Sequence, residues 1–223
     1  MAINENPSLP NRHCGYIATS GAGKSQALKQ NPDIPRRGVR LVAWDPNRDH
    51  KNHCTLFEAH EFHAFGKALQ DGMRSGAGFR LGFVGPQDDW KFFDRQFCRL
   101  VWAMLDGNRP TYVLLEELAA VQPSSGKAPP NCGVLFNQAR KYHGMLHWTT
   151  QKPTDVSQTA LMQSEYFYIG KPGKFCSDTR ADQLARIAEV PGGRKGLQQL
   201  QPMEFFRVTP TESRLVKIKY KNL

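Results

Sequence analysis

An α/β fold, with a mainly parallel sheet and helices on both faces, is predicted by three observations. Short apolar runs alternate with helical patterns along the 223 residues. One apolar run, Cys14-Gly-Tyr-Ile-Ala18, leads directly into Ala18-Thr-Ser-Gly-Ala-Gly-Lys-Ser25, an A-x-x-x-x-G-K-S phosphate-binding loop. Another run, Tyr112-Val-Leu-Leu115, ends in the paired acids Glu116 and Glu117.

The elements follow in order. After the first strand, Ser25 to Gln30 reads as a short helix stopped before Pro32. Val39 to Asp45 reads as a second strand, Glu61 to Met73 as a helix, and Phe79 to Val84 as a third strand. From Asp88 to Leu105, Trp90, Phe93, Phe97, Leu100, Val101 and Met104 share one face of a single amphipathic helix, and this stripe reads as core. Thr111 to Leu115 is a fourth strand, Cys132 to Tyr142 a helix and Met145 to Thr150 a fifth strand. A short helix (Val156 to Met162), a sixth strand (Glu165 to Ile169) and a helix (Asp178 to Glu189) come next. Met203 to Val208 and Arg214 to Tyr220 read as a closing hairpin. Gln122 to Pro130, rich in Pro, Ser and Gly, reads as a mobile loop. The expected organisation is a single domain over 1–223, with a core of about 12–171 and a helical and hairpin extension of about 172–223.

Composition narrows the function. No apolar run approaches the ~18 residues that span a bilayer, and the N-terminus lacks the basic and apolar regions of a signal peptide. A cytoplasmic protein is therefore expected. Five scattered cysteines without a C-x-x-C fit free thiols in a reducing compartment. Asp49, His50, His53, Cys54, His60 and His63 match no zinc module and read as polar loop and helix-surface residues. A formal net charge of +10 points to a polyanionic partner, with basic groups at Arg36, Arg37, Arg40 and at Lys217, Lys219, Lys221.

The loop carries the chemistry. Gly21 and Gly23 let successive N–H groups from Ser20 to Ser25, Ala22 among them, turn toward phosphate oxygens. Lys24 is placed for the β- and γ-phosphates of ATP, and the Ser25 hydroxyl for Mg²⁺. The helix that begins at Lys24 adds its positive end. Hydrolysis needs one carboxylate near Mg²⁺ and one to polarise water. Glu116 is assigned to the metal, directly or through water, and Glu117 to the catalytic base. Gln151, at the end of the fifth strand, would stand beside the γ-phosphate in a RecA-like P-loop core and report hydrolysis.

The order A-T-S-G-A-G-K-S, V-A-W-D-P, V-L-L-E-E, A-R-K-Y-H-G and T-T-Q-K-P-T-D-V-S resembles the FtsK/HerA superfamily of DNA-pumping ATPases. The minimal length is similar to that of the genome-packaging ATPases of tailless icosahedral viruses with an internal membrane. The resemblance implies a homo-hexameric ring that moves double-stranded DNA without sequence preference. It further implies capsid vertex proteins as partners, and a location in host cytoplasm and at the packaging vertex of the virion. Arg140 matches the family arginine, which would act near a γ-phosphate, that of a neighbouring subunit included. Asp45 matches the family's strand-end Asp, whose role is either structural hydrogen bonding or functional. Two positions depart from the pattern: Ala18 replaces the first Gly, and Glu116 stands where Asp is usual.

Other readings make distinct demands. A small-molecule P-loop kinase should carry an Arg-rich lid, and an assembly or export ATPase of zonular-occludens type a membrane segment. A HerA-like pump outside packaging would share the same site. A basic structural protein with a vestigial nucleotide site would not need Lys24, Ser25 and Glu117 intact.

Overall fold

The computed structural model describes residues 2–174 and 176–221; Met1, Phe175, Asn222 and Leu223 lie outside the described residues. β1 (Cys14–Ile17) passes through the Gly-rich loop into α1 (Lys24–Lys29), and β2 (Arg40–Trp44) follows. β3 (Thr55–Glu58) and a 3-10 turn (Ala59–Glu61) precede α2 (Phe62–Arg74) and β4 (Phe79–Val84). A helical run then comes in three pieces: α3 (Trp90–Phe92), a π segment (Phe93–Cys98) and α4 (Arg99–Met104). β5 (Thr111–Leu115) leads through a 3-10 turn (Leu118–Val121) to α5 (Pro130–Gln138), a second such turn (Ala139–Tyr142) and β6 (Gly144–Thr150). α6 (Gln158–Met162), β7 (Tyr166–Ile169), α7 (Asp178–Ile187) and α8 (Gly193–Gln199) follow, and β8 (Glu204–Val208) and β9 (Ser213–Lys217) form the hairpin.

The nine strands make one sheet in the order β3-β4-β2-β5-β6-β1-β7-β8-β9. Pairing is parallel from β3 through β7 and antiparallel for β8 and β9. Alternation along each strand sorts the core. Val42, Trp44, Val113, Leu115, Leu146 and Trp148 face the larger core under α2 to α8, while Leu41, Ala43, Tyr112, Leu114, Cys14 and Tyr16 belong to the smaller cluster on the α1 side of the sheet. Helices thus cover both faces, unequally. Strand β1 can lie against β6 because residue 15 is glycine: a Cβ there would stand 2.5 Å from the Trp148 ring.

The structure departs from the sequence reading in four places. The helix expected from Asp88 to Leu105 is interrupted by the π segment, although Phe93, Phe97 and Val101 are buried as predicted. The interruption turns Asp94 inward, where its carboxylate accepts from Cys132 N (2.9 Å) and Asn131 Nδ2 (3.0 Å) at the start of α5. The loop predicted to be mobile is pinned: Gln158 N donates to Ser125 O and Gly126 O, and Ala128 N to Thr159 Oγ1. β3 and α8 are additional elements.

Candidate nucleotide site

Parallel pairing brings the carboxyl ends of β1, β2, β5 and β6 to one edge, with Ile17 beside Thr150 and Leu115 between Trp44 and Trp148. Open α/β sheets bind ligands at this edge. The P-loop leaves β1 here. Gly21 (φ 72°) and Gly23 (φ 97°) take left-handed backbone that other residues rarely adopt. Around Gly21 the space is open, whereas a Cβ on Gly23 would meet the Met203 side chain. Met203 N donates to Ala22 O at 2.9 Å, and the C-terminal chain continues along α1, with Gln26 and Gln30 bonded to Lys221 O and Lys219 O. No local spacing announces this seat, because Met203 lies far along the chain from the loop it supports.

The structure brings Lys24, Glu117 and Gln151 together. Lys24 is buried. Its ammonium donates to Thr19 O at 3.4 Å and stands 4.0 Å from Glu117 Oε1. Burial lowers its pKa, with the carboxylates of Glu117, Glu116 and Asp49 opposing. A buried cation with such long contacts is chemically suited to a phosphate. Gln151 Nε2 donates to Glu117 Oε1 at 2.8 Å, so the predicted sensor touches the predicted base. Glu117 itself sits at φ 49°, a strained position for a side-chain-bearing residue that aims its carboxylate away from the strand direction. A cavity of about 290 Å³ opens beside the pair, with Asn47, Asp88 and Lys152 on its walls. Ser25 follows Lys24 at the start of α1, and Ser20 is exposed at the loop's tip.

Glu116 is buried and held on both oxygens. His50 Nε2 lies 2.7 Å from Oε1, and Thr149 Oγ1 donates to Oε2 at 2.5 Å. Glu117 N in turn donates to Thr149 Oγ1 at 3.0 Å, so one threonine fixes both acids. Asp45 accepts from Asp49 N and His50 N, each at 2.8 Å, and so fixes the loop that delivers His50. Burial opposes charge on His50, but the bond to Glu116 and its negative charge outweigh it and raise the histidine's pKa. Burial likewise opposes charge on Glu116, and His50 and Thr149 hold its pKa below the usual range. The expectation that His50 and Cys54 are polar loop or helix-surface residues is therefore corrected: both are buried. The signal available in the sequence was a histidine five residues beyond a strand-end Asp, too general to single out.

Arg140 is not brought to this site. It precedes β6 at the opposite edge of the sheet, where its guanidinium donates to Pro7 O (2.9 Å) and Leu9 O (2.6 Å).

No family model matches the chain. Protein P9 of Pseudoalteromonas phage PM2 is 32% identical over 164 residues, covering 74% of this chain and 70% of P9. The chain belongs to the family of protein P9. In fold it matches the genome packaging NTPase B204 of Sulfolobus turreted icosahedral virus 2, in complex with AMP: TM-score 0.70 and 12% identity over 94% of this chain and 99% of B204. VirB4 of Thermoanaerobacter pseudethanolicus matches with TM-score 0.61 and 11% identity, covering 100% of this chain and 99% of VirB4. The conjugative coupling protein TrwB, in its ΔN70 form, matches with TM-score 0.66 and 9% identity, covering 99% and 89%. The P-loop NTPase core and the resemblance to viral packaging ATPases, both expected from the sequence, are borne out.

Proposed function

We propose that this chain is an ATP-driven motor that moves double-stranded DNA into a viral capsid. One observation carries the catalytic part: Lys24, Glu117 and Gln151 converge at the end of the parallel sheet beside a glycine-formed phosphate cradle. ATP is the substrate, held by Ser20 to Ser25 with Lys24 on its terminal phosphates. Glu117 orients and accepts a proton from the attacking water, and Gln151 couples its state to β6. The donor set suits Mg²⁺, which would neutralise phosphate charge when bound; Ser25 would hold it. Glu116, already committed to His50 and Thr149, would meet it through water.

The packaging role is supported by the fold shared with B204, a genome packaging NTPase, and by the kinship with a phage protein. A net charge of +10 suits a grip on DNA phosphates of any sequence. A homo-hexameric ring, capsid vertex partners, residence in host cytoplasm and at the vertex, and a single ATPase domain with its C-terminal extension complete the reading. The test is ATP turnover with and without unrelated duplexes, alongside duplex movement measured by displacement of a bound third strand. We expect DNA-stimulated turnover and strand displacement that both vanish in Lys24→Ala. Turnover indifferent to DNA, with no displacement, would overturn the motor reading.

A further inference from the structure

On the α1 side of the sheet, α1 packs over β1 and β6. Over β2 and β4 the cover is the loop between β2 and β3, and two adjoining cavities of about 570 Å³ and about 300 Å³ open there. Lys51 lines the larger, Lys29 and Arg36 the smaller, and Arg80 both; no carboxylate lines either. Elsewhere arginines such as Arg40, Arg48, Arg194 and Arg207 meet carboxylates. These four cations form no ion pair among the described residues. Arg80 is nonetheless held in place, one guanidinium nitrogen donating to Pro35 O (3.0 Å) and Arg36 O (3.2 Å). The smaller cavity is floored by Leu28, Leu41 and Leu114 and reaches His50, the side chain that holds Glu116.

Lys29 feels the Asp49 carboxylate beyond the cleft, but four like charges on walls that carry no carboxylate repel one another, and the arrangement suits a polyanion. A second copy of this chain, itself at +10, offers no general complement. We propose that this cleft takes successive backbone phosphates of double-stranded DNA. The proposal rests on the DNA-motor reading above and specifies where the duplex is gripped. Because His50 borders the cleft and holds Glu116, the grip and the hydrolytic centre share one side chain.

The experiment uses the full-length chain, with Arg36→Ala, Lys51→Ala and the double variant. Lys67→Ala, an exposed lysine on α2 across the sheet, is the charge-matched control. Duplex affinity is measured over a salt series, and turnover with and without DNA. Each lost phosphate contact should lower the slope of log affinity against log salt by about 0.9. The double variant should lose roughly tenfold or more in affinity and in stimulation at sub-saturating DNA, with turnover in the absence of DNA unchanged. Slopes and affinities equal to wild type and Lys67→Ala would overturn the cleft while leaving the motor reading standing. Failure of wild type itself to bind duplex would overturn both. Loss of DNA-free turnover in the variants equal to the loss of stimulated turnover would assign these residues to the ATP site and also overturn the cleft.

Discussion

Adjacent acids at the end of β5 look alike in sequence and are set apart by their surroundings. Glu116 is clasped by His50 and Thr149 in the interior; Glu117 faces Lys24 and Gln151 at a cavity wall. Glu117→Gln keeps the size and one acceptor, so nucleotide binding and melting temperature should stay near wild type. Turnover should fall by roughly 10²–10⁴-fold. Glu116→Gln instead leaves His50 buried beside an amide. Breaking a buried pair costs about 3–5 kcal/mol, a fall of roughly 10 °C in a chain of this size. Nucleotide binding, single-turnover rates and thermal melts on both variants check this. An active Glu117→Gln, or a Glu116→Gln as stable as wild type, would reverse the assignment. The P-loop, both acids and Gln151 were legible because each belongs to a fixed local spacing. His50, Thr149 and Met203 were not, since each acts through a contact made only when distant segments meet.

Elements with strong periodicity were equally legible: every strand from β4 to β7 was anticipated within a few residues. β3 was missed because it is a half-exposed edge strand beside a polar loop, with pairing to β4 alone. α8 was missed because it opens at Gly192-Gly193, which read as breakers; Gly192 (φ 76°) is in fact its N-cap. The π segment has no periodic signature at all, since one wider turn hardly disturbs an aromatic stripe. Its purpose is visible in Asp94, which caps α5 from a neighbouring element. Asp94→Ala should remove two hydrogen bonds from a buried carboxylate and cost about 2–3 kcal/mol. The melting temperature should drop by roughly 4–12 °C while the affinity for ATP at the distant P-loop is retained. A variant that melts with wild type would show that the π segment arises from aromatic packing alone.

At the scale of the molecule, two buried histidines set the acid limit of stability. Burial pushes His147 down to about 3 and His13 to about 4, against an ordinary 6.5. His13 Nδ1 accepts from Leu146 N, and His147 Nδ1 is paired with the Tyr16 hydroxyl, contacts that suit neutral rings. The unfolded chain takes up protons below 6.5 while these rings stay neutral, so their stabilisation is present above 6.5 and lost as pH falls toward the folded values. At about pH 5 the loss is roughly 2 kcal/mol per histidine. His50, raised by Glu116, acts oppositely: its contribution is complete below 6.5 and fades as pH rises through its folded pKa. Stability should therefore peak near neutrality. Melts across the range should show the acid limb, and His147→Gln should make it shallower. A melting temperature flat between about pH 5 and pH 7 would contradict the neutral-ring assignment.

Arg140 lies on the carbonyls of Pro7 and Leu9, away from the nucleotide site of its own chain. β6 separates it from the P-loop by its whole length, seven residues or roughly 20 Å. Under the ring reading, the γ-phosphate it would serve is that of another subunit. One nitrogen of its guanidinium holds the carbonyls of Pro7 and Leu9, which leaves other N–H groups for an anion. Under the ring reading, Arg140→Ala should bind ATP and hydrolyse it slowly, since an arginine acting in trans is worth ~10³-fold or more. Lys24→Ala is inactive for a different reason, so mixing the two should restore turnover. In mixed rings some interfaces pair an intact P-loop from one variant with an intact arginine from the other. Fluorescently labelled protomers establish that subunits exchange. If mixed rings form and no activity returns, while Arg140→Ala melts well below wild type, the arginine serves only to anchor the segment around Pro7 and Leu9.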